Sequence, residues 1–305
     1  MNMSKSESLP VTIIGGYLGS GKTTLINRLL NSADGRRYAV LVNDFGELAI
    51  DAQLIESQDG NVISLSGGCV CCSYGNDLTS ALMQLDTGVL DQVVIEASGV
   101  ALPGSIAASL SLLQGFVTSS VIVLVDSSTI ETQANDKYLA DTIERQLTSA
   151  DIIAVNKCDL ADQEQLSRID LRMKEAYPSA RLISVSHADY PLDLFVMNTP
   201  QTGVKHFIND NAVETFHASM YTSFVLDLPA EYDLQELIRV LTDNAMGLLR
   251  AKGFVKDMSG VMQTLQIVGT RSTVRRAPDN AAAGLVCIGL SAECSEQKVK
   301  SVLNL

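Results

Sequence analysis

Short apolar runs rich in β-branched residues recur through the first two-thirds of the chain, and stretches with helical spacing lie between most of them. The runs Val11–Ile14, Tyr38–Val42, Val93–Ile95, Val121–Val125, Ile152–Val155 and Leu182–Val185 read as buried strands. Leu25, Leu29 and Leu30 mark one intervening helix face. Leu78, Leu82 and Leu85 mark another at helical intervals. This alternation predicts an α/β fold, a mostly parallel sheet with helices on both faces and ligands at the carboxyl ends of the strands.

The pattern changes near residue 200. The stretch from about Thr199 to Ala218 is polar and weakly periodic. Beyond it, Met220–Leu228 reads as a strand, and Leu234, Leu237, Ile238 and Leu241 define a helix face. Strands are expected near Gly253–Val255, Met262–Val268 and Leu285–Leu290, with a closing helix over Ala292–Leu303. The expected organisation is a larger α/β domain over 1–200, a linker over 201–218 and a smaller α+β domain over 219–305.

Composition narrows the partners. With 305 residues and 46% hydrophobic content the chain can bury a large core. A net charge of -13 argues against nucleic acid and against an anionic membrane surface; only Arg271, Arg275 and Arg276 form a late basic cluster. The first ten residues are polar, and the longest apolar runs, Val121–Val125 and Leu285–Leu290, are far too short to cross a bilayer. The expectation is a soluble cytoplasmic protein with reduced thiols. Of the cysteines, Cys158, Cys287 and Cys294 are scattered and read as small buried hydrophobes, whereas Cys69, Cys71 and Cys72 are crowded together.

Chemistry enters at the first strand end. Gly16-Tyr17-Leu18-Gly19-Ser20-Gly21-Lys22-Thr23 matches G-x4-G-K-[ST] between a predicted strand and a predicted helix, with Thr24 next in the helix. The glycines let backbone N–H groups curl around phosphate oxygens, and the helix N-terminus adds a favourable dipole. Lys22 supplies a point charge to the β- and γ-phosphates, and Thr23 a hydroxyl for Mg²⁺. Val93–Ile95 runs into Glu96, with Gly99 three residues on. That is the expected place for a second carboxylate near Mg²⁺ and for a glycine N–H that senses the γ-phosphate; the competing reading is a solvent-facing acid. Asp126 ends the next strand, and the sequence leaves it either structural or facing the same cleft.

Asn156-Lys157-Cys158-Asp159 follows the strand Ile152–Val155 and fits N-K-x-D, the guanine-reading signature of P-loop GTPases. A carboxylate at Asp159 accepts from both N1–H and the 2-amino group of guanine, a donor pair that adenine lacks. The bland reading, an ordinary turn, is hard to keep after a phosphate loop and three intervening strands.

The cysteines sit in Ser66-Gly67-Gly68-Cys69-Val70-Cys71-Cys72, after the β-like run Val62–Leu65. Three thiolates in one short loop favour Zn²⁺ or Cu(I) over Mg²⁺ and leave a fourth position open. A redox-active thiol set is the alternative. In order and spacing, GGYLGSGKTTLINRLL, VNDFGE, SGGCVCC, VIEASG and NKCD resemble the CobW-like metallochaperone GTPases, a branch of the P-loop GTPases that includes nickel-delivery proteins. Leu248 to Gly253 is similar to the family's L-x-R-x-K-G stretch, so the resemblance spans most of the chain and extends to a CobW-type C-terminal domain.

The resemblance implies GTP hydrolysis coupled to binding and delivery of a transition metal, zinc or cobalt, to a client metalloprotein or apo-enzyme. It implies GTP or GDP with Mg²⁺ at the phosphate loop, with Lys22, Thr23 and Glu96 catalytic, and Cys69, Cys71, Cys72 and Glu47 as metal ligands. A second copy of the chain is a further candidate partner. Two departures stand out. Asp44 replaces the Glu of the family's N-E-F-G-E segment in Asn43–Glu47, and the three histidines, His187, His206 and His217, are dispersed where many members carry a His-rich tract. Lone histidines of this kind are expected to be solvent-facing or satisfied core residues rather than ligands. No catalytic base or cis arginine finger is evident, so intrinsic turnover is expected to be slow. Two other classes remain: a nucleotide-gated maturation scaffold, and a phosphotransferase whose CxCC is a redox switch.

Overall fold

The structure is a computed structural model of the chain, and it describes residues 8–32, 36–42, 62–65, 76–194, 221–278, 281–303 and 305. The chain divides into two compact units, Met1–Met197 and Asn198–Leu305. The expected linker, 201–218, lies outside the described residues.

The first unit is built on a parallel sheet of seven strands: β1 (Leu9–Gly15), β2 (Tyr38–Val42), β3 (Val62–Leu65), β4 (Gln92–Glu96), β5 (Phe116–Asp126), β6 (Ile152–Asn156) and β7 (Arg181–Ser184), in the order β3-β2-β4-β1-β5-β6-β7. Between them run α1 (Lys22–Asn31), α2 (Asn76–Met83), α3 (Pro103–Leu110), α4 (Ile130–Asn135), α5 (Ala140–Thr148) and α6 (Gln163–Ala176). Val11, Ile13, Val93, Ile95, Val121 and Val123 share one core cluster. The residues between them, Thr12, Ile14, Val94, Ile122 and Leu124, are as fully buried. Strand side chains alternate between faces, so both faces of this sheet are covered, and that is why its strands read as continuous apolar runs.

Thr12 is the polar exception in β1. Its hydroxyl accepts from Gln92 Nε2 at 2.7 Å and lies 3.1 Å from Ser119 Oγ. The β1–β5 register shifts between Val11 and Thr12, which leaves Ser119 as an extra residue in β5. The Ser119 hydroxyl donates to the Val11 carbonyl at 3.0 Å, so the bulge leaves that buried acceptor satisfied.

β1 is the switch point of the sheet. It pairs with β4 on one side and β5 on the other, and strands later in the chain lie outward in both directions. A crevice at the carboxyl ends of such strands is where open α/β sheets bind ligands.

The second unit is an antiparallel sheet with two helices: β8 (Tyr221–Leu226), β9 (Glu231–Tyr232), α7 (Leu234–Thr242), β10 (Leu248–Asp257), β11 (Met262–Val268), β12 (Arg271–Arg276), β13 (Gly284–Leu290) and α8 (Glu296–Leu303). The main path is β12-β11-β10-β13-β8, and β9 pairs parallel to β10. Leu237 and Leu241 of α7 and Val299 of α8 close a core with Leu226, Ala251, Val255, Leu265, Ile267 and Leu285. Asp233 caps α7 by accepting from the backbone N–H groups of Gln235 and Glu236.

In the first unit β5 runs over Phe116–Asp126 where Val121–Val125 is expected, and the second unit differs most from the sequence expectation at three elements. The strand expected near Gly253–Val255 extends over the whole of Leu248–Asp257. The closing helix begins at Glu296 rather than Ala292, because Ser295 Oγ accepts from Lys298 N at 3.2 Å and caps it there. The third is β12, whose sequence R-S-T-V-R-R has one apolar residue and was visible only as a basic cluster. Its pairing follows from a two-residue turn, Gly269-Thr270, with Gly269 at φ 59° joining the paired residues Val268 and Arg271. Among the described residues no helix is long and apolar enough to cross a membrane.

Candidate nucleotide-binding site

The carboxyl ends of β1, β4, β5 and β6 supply four short loops. The first, between β1 and α1, turns back through Gly16 at φ 131°, Gly19 at φ 76° and Gly21 at φ 103°. Two of these glycines are also sterically required. A Cβ on Gly16 would overlap the Leu124 carbonyl of β5, and one on Gly21 would overlap the Asn156 side-chain amide. Ser20 N donates to Tyr17 O at 3.2 Å and closes the loop. Leu18 and Gly19 are exposed, Tyr17 is half-buried and Ser20 is buried. Lys22 opens α1 and is buried; its Nζ donates to Gly16 O at 2.9 Å and Tyr17 O at 3.3 Å. The amine therefore sits inside the curl of the loop beside the N-terminus of α1. Thr24, one residue further on, is exposed.

Thr23 Oγ1 donates to Glu96 Oε1 at 3.0 Å. Glu96 is the last residue of β4, opposite Ile14 and Val42 in the sheet register, and is only 4% exposed. That burial excludes the solvent-facing alternative. A hydroxyl and a carboxylate held together at the phosphate loop are hard oxygen donors that suit Mg²⁺. Gly99 follows in the loop after β4, pressed against Leu18, whose side chain any Cβ there would strike. Gln146, unremarked in the sequence, fixes this loop from α5 by donating Nε2 to Gly99 O at 3.1 Å and Ala101 O at 2.8 Å.

The N-K-C-D segment leaves β6 and meets the phosphate loop. Asn156 Nδ2 donates to Ser20 O at 2.9 Å and to the Tyr190 hydroxyl at 2.8 Å. The Tyr190 hydroxyl lies 3.3 Å from Gly21 O and donates to it. Lys157 adopts a left-handed conformation, φ 60°, and its amine reaches Asp126 Oδ2 at 2.6 Å. Cys158 turns inward, with burial raising its thiol pKa. Asp159 Oδ1 accepts from His187 N at 2.7 Å. That backbone bond is the main reason the Asp159 carboxyl titrates below the ordinary value, so it is an ionised acceptor at neutral pH.

Tyr190 and the left-handed pair His187 (φ 51°) and Ala188 (φ 55°) add a fifth segment, after β7, that the sequence does not reveal. The only local signal is the Ser186–Tyr190 stretch after the last predicted strand. The ring of His187 is 81% exposed, the solvent-facing placement expected of it, with Nδ1 3.5 Å from Asp159 Oδ2. Burial raises the Tyr190 pKa, so its phenol stays a neutral donor. Tyr190→Phe should cost about 1–2 kcal/mol of folding stability, because it strips a partner from the buried Asn156 amide and from the half-buried Gly21 carbonyl. A urea midpoint unchanged from wild type would refute that.

The remaining site expectations fall elsewhere. Asn43–Glu47 and Cys69, Cys71 and Cys72 lie outside the described residues, as do His206 and His217. Among the described residues no group of three or more His, Cys, Asp or Glu side chains could hold a metal ion.

Comparison with known proteins places both units. The family model described as CobW/HypB/UreG, nucleotide-binding domain, matches residues 10–184. The model described as cobalamin synthesis protein cobW C-terminal domain matches residues 221–304. The zinc chaperone YjiA of Escherichia coli (strain K12) is 34% identical over 275 residues, 81% of this chain and 81% of its own length. The zinc chaperone CobW of Pseudomonas aeruginosa is 30% identical over 311 residues, 88% of this chain and 83% of its own. A crystal structure of Zn(II)-bound YjiA GTPase from E. coli aligns with 100% of this chain and 99% of that one at 26% identity, with a TM-score of 0.48.

Proposed function

Because the chain belongs to the CobW/HypB/UreG family, with its nucleotide-binding domain followed by a CobW C-terminal domain, we propose that it is a GTP hydrolase whose nucleotide cycle governs the holding and release of zinc to a client protein. The observation that carries the reading is the bond from Asn156 Nδ2 to Ser20 O at 2.9 Å. It joins the N-K-C-D loop to the glycine loop, which supports reading the two motifs as parts of one nucleotide site.

Roles follow from position. The backbone N–H groups of Gly16–Thr24 and the Lys22 amine take the phosphates. Asp159 takes the Watson–Crick edge of guanine, and Lys157 lies beside it. Gly99 stands beside Leu18 of the phosphate loop, where its N–H can respond to the γ-phosphate. Thr23 and Glu96 would hold Mg²⁺, which offsets the charge on the phosphate oxygens when bound. Water adds to the γ-phosphorus, the β–γ anhydride breaks, and GDP and phosphate leave.

Zinc is cargo in this reading. The relatives are named as zinc chaperones, and Cys69, Cys71 and Cys72 with Glu47 provide three thiolates and a carboxylate between β2 and β4. β4 ends in Glu96, so a change around the γ-phosphate and a change in the metal loop share one stretch of chain. Coupling between the two sites must then be reciprocal. A redox-only CxCC and a metal-free maturation scaffold are both excluded if the thiols hold zinc stoichiometrically.

A chelator competition tests this at two pH values, with GDP and with a non-hydrolysable GTP analogue. Wild type should bind one zinc, more weakly at lower pH because thiol protons must be displaced, and with different affinity in the two nucleotide states. The Cys69→Ser/Cys71→Ser/Cys72→Ser variant should lose it. Unchanged stoichiometry in that variant removes the cysteines as ligands. Identical wild-type affinity in both nucleotide states removes the coupling.

A further inference from the structure

Asp126 ends β5 and pairs in register with Asn156, the first residue of the base-reading loop. It is 7% exposed, and both of its oxygens are engaged. Oδ1 accepts from Ser128 N at 2.9 Å and Ser128 Oγ at 2.6 Å, and Oδ2 accepts from Lys157 Nζ at 2.6 Å. The same turn grips the loop through its main chain. Ser127 N donates to Asn156 O at 2.9 Å, and Ser127 Oγ donates to Lys157 O at 2.7 Å. Gln165 Nε2 of α6 donates to Ser127 O at 3.0 Å and holds the turn from behind.

These contacts divide the labour. Ser127 fixes the backbone of Asn156 and Lys157 without help from any charge. Asp126 Oδ1 holds its own turn through Ser128, and within the base-reading loop its side chain holds only the Lys157 amine. That side chain is still 35% exposed, so it borders the open mouth of the site beside Asp159, while Cys158 between them is turned inward. A free lysine on such a rim would sample many rotamers and lose them when a ligand packed on its methylenes. Tethering the amine to Asp126 removes that freedom before the ligand arrives.

We propose that Asp126 is a positioning residue for nucleotide recognition, which holds the Lys157 stem as a preformed seat for the face of the guanine ring. The inference rests on Asp159 as the reader of the guanine edge and adds a residue from a different strand to that site. The side-chain bonds of this pair run to Ser128 and to each other rather than to the phosphate loop, so the effect of losing it should be confined to ligands that carry a base.

The test compares Asp126→Asn, Lys157→Met and the double variant with wild type, using GDP, ADP and inorganic triphosphate as probes. Asn at 126 still offers Oδ1 to Ser128, and the double variant leaves no unpaired buried charge if a single variant folds poorly. GDP affinity should fall roughly 10-fold in Asp126→Asn. Triphosphate affinity should stay at the wild-type value, and the double variant should bind GDP no worse than Lys157→Met. A purely structural Asp126 would lower the unfolding midpoint and leave GDP affinity unchanged, which overturns the inference, as does additivity in the double variant. Wild type binding ADP as tightly as GDP overturns the reading of Asp159, and the Asp126 inference with it. Guanine preference in wild type with an unaltered Asp126→Asn variant overturns the Asp126 inference alone.

Discussion

Asp159→Asn should weaken GDP and GTP binding by about 100-fold or more and shift preference to xanthine nucleotides. The carboxylate is presented by the short 3-10 turn Cys158–Leu160 at the end of β6, and the His187 backbone N–H holds Oδ1 at 2.7 Å. That bond fixes the side-chain orientation and keeps the group ionised. An ionised carboxylate only accepts, and guanine offers two adjacent donors at N1 and the 2-amino group. Asparagine replaces one acceptor by a donor, which then faces the guanine 2-amino group. Xanthine carries a carbonyl at that carbon and restores the match. The fold should not suffer, because the Asn carbonyl can still accept from His187 N. Competition against a fluorescent guanine nucleotide checks both halves. Wild type ranking ATP equal to GTP, or a variant with unchanged GDP affinity, would sink the assignment.

Local chemistry was legible in the sequence, and the partners of that chemistry were not. The phosphate loop declares itself because its glycines, Lys22 and Thr23 must be contiguous to wrap one phosphate chain. Glu96 and Asn156 stand at strand ends because β-branched runs stop there at a polar residue. Which strand ends meet is a matter of sheet order, and nothing local encodes that β1 lies between β4 and β5. The bond between Thr23 and Glu96 spans 73 residues, and that between Asn156 and Ser20 spans 136. Asp126 could therefore be seen as a strand-end acid without its lysine, and Tyr190 could not be told from an ordinary aromatic. The β12 strand was hidden for another reason. An edge strand needs no apolar run when a tight turn delivers it to its neighbour, so R-S-T-V-R-R registered as charge alone.

Lys22→Ala should lower the hydrolysis rate by about 100- to 1,000-fold while the protein stays folded. The two outcomes separate because the lysine's chemistry and its scaffold use different atoms. The helix it opens buries Leu25, Ile26, Leu29 and Leu30, an apolar face to which the amine adds nothing. The amine bonds to Gly16 O and Tyr17 O, carbonyls of the glycine loop proposed to take the phosphates. A cation at that place neutralises charge that builds on the β–γ bridge as the anhydride breaks, and such a contact is worth more in the transition state than in the ground state. Alanine is a strong helix former, so α1 keeps its first turn. Nucleotide affinity should fall less than the rate, since the backbone N–H groups, Thr23 and the Asp159 contact to guanine all remain. Single-turnover hydrolysis measured beside GDP titration and a thermal melt resolves the three quantities. Unchanged turnover would remove Lys22 from the reaction, and a collapsed melting transition would mean that its buried stem, rather than its charge, is what the loop requires.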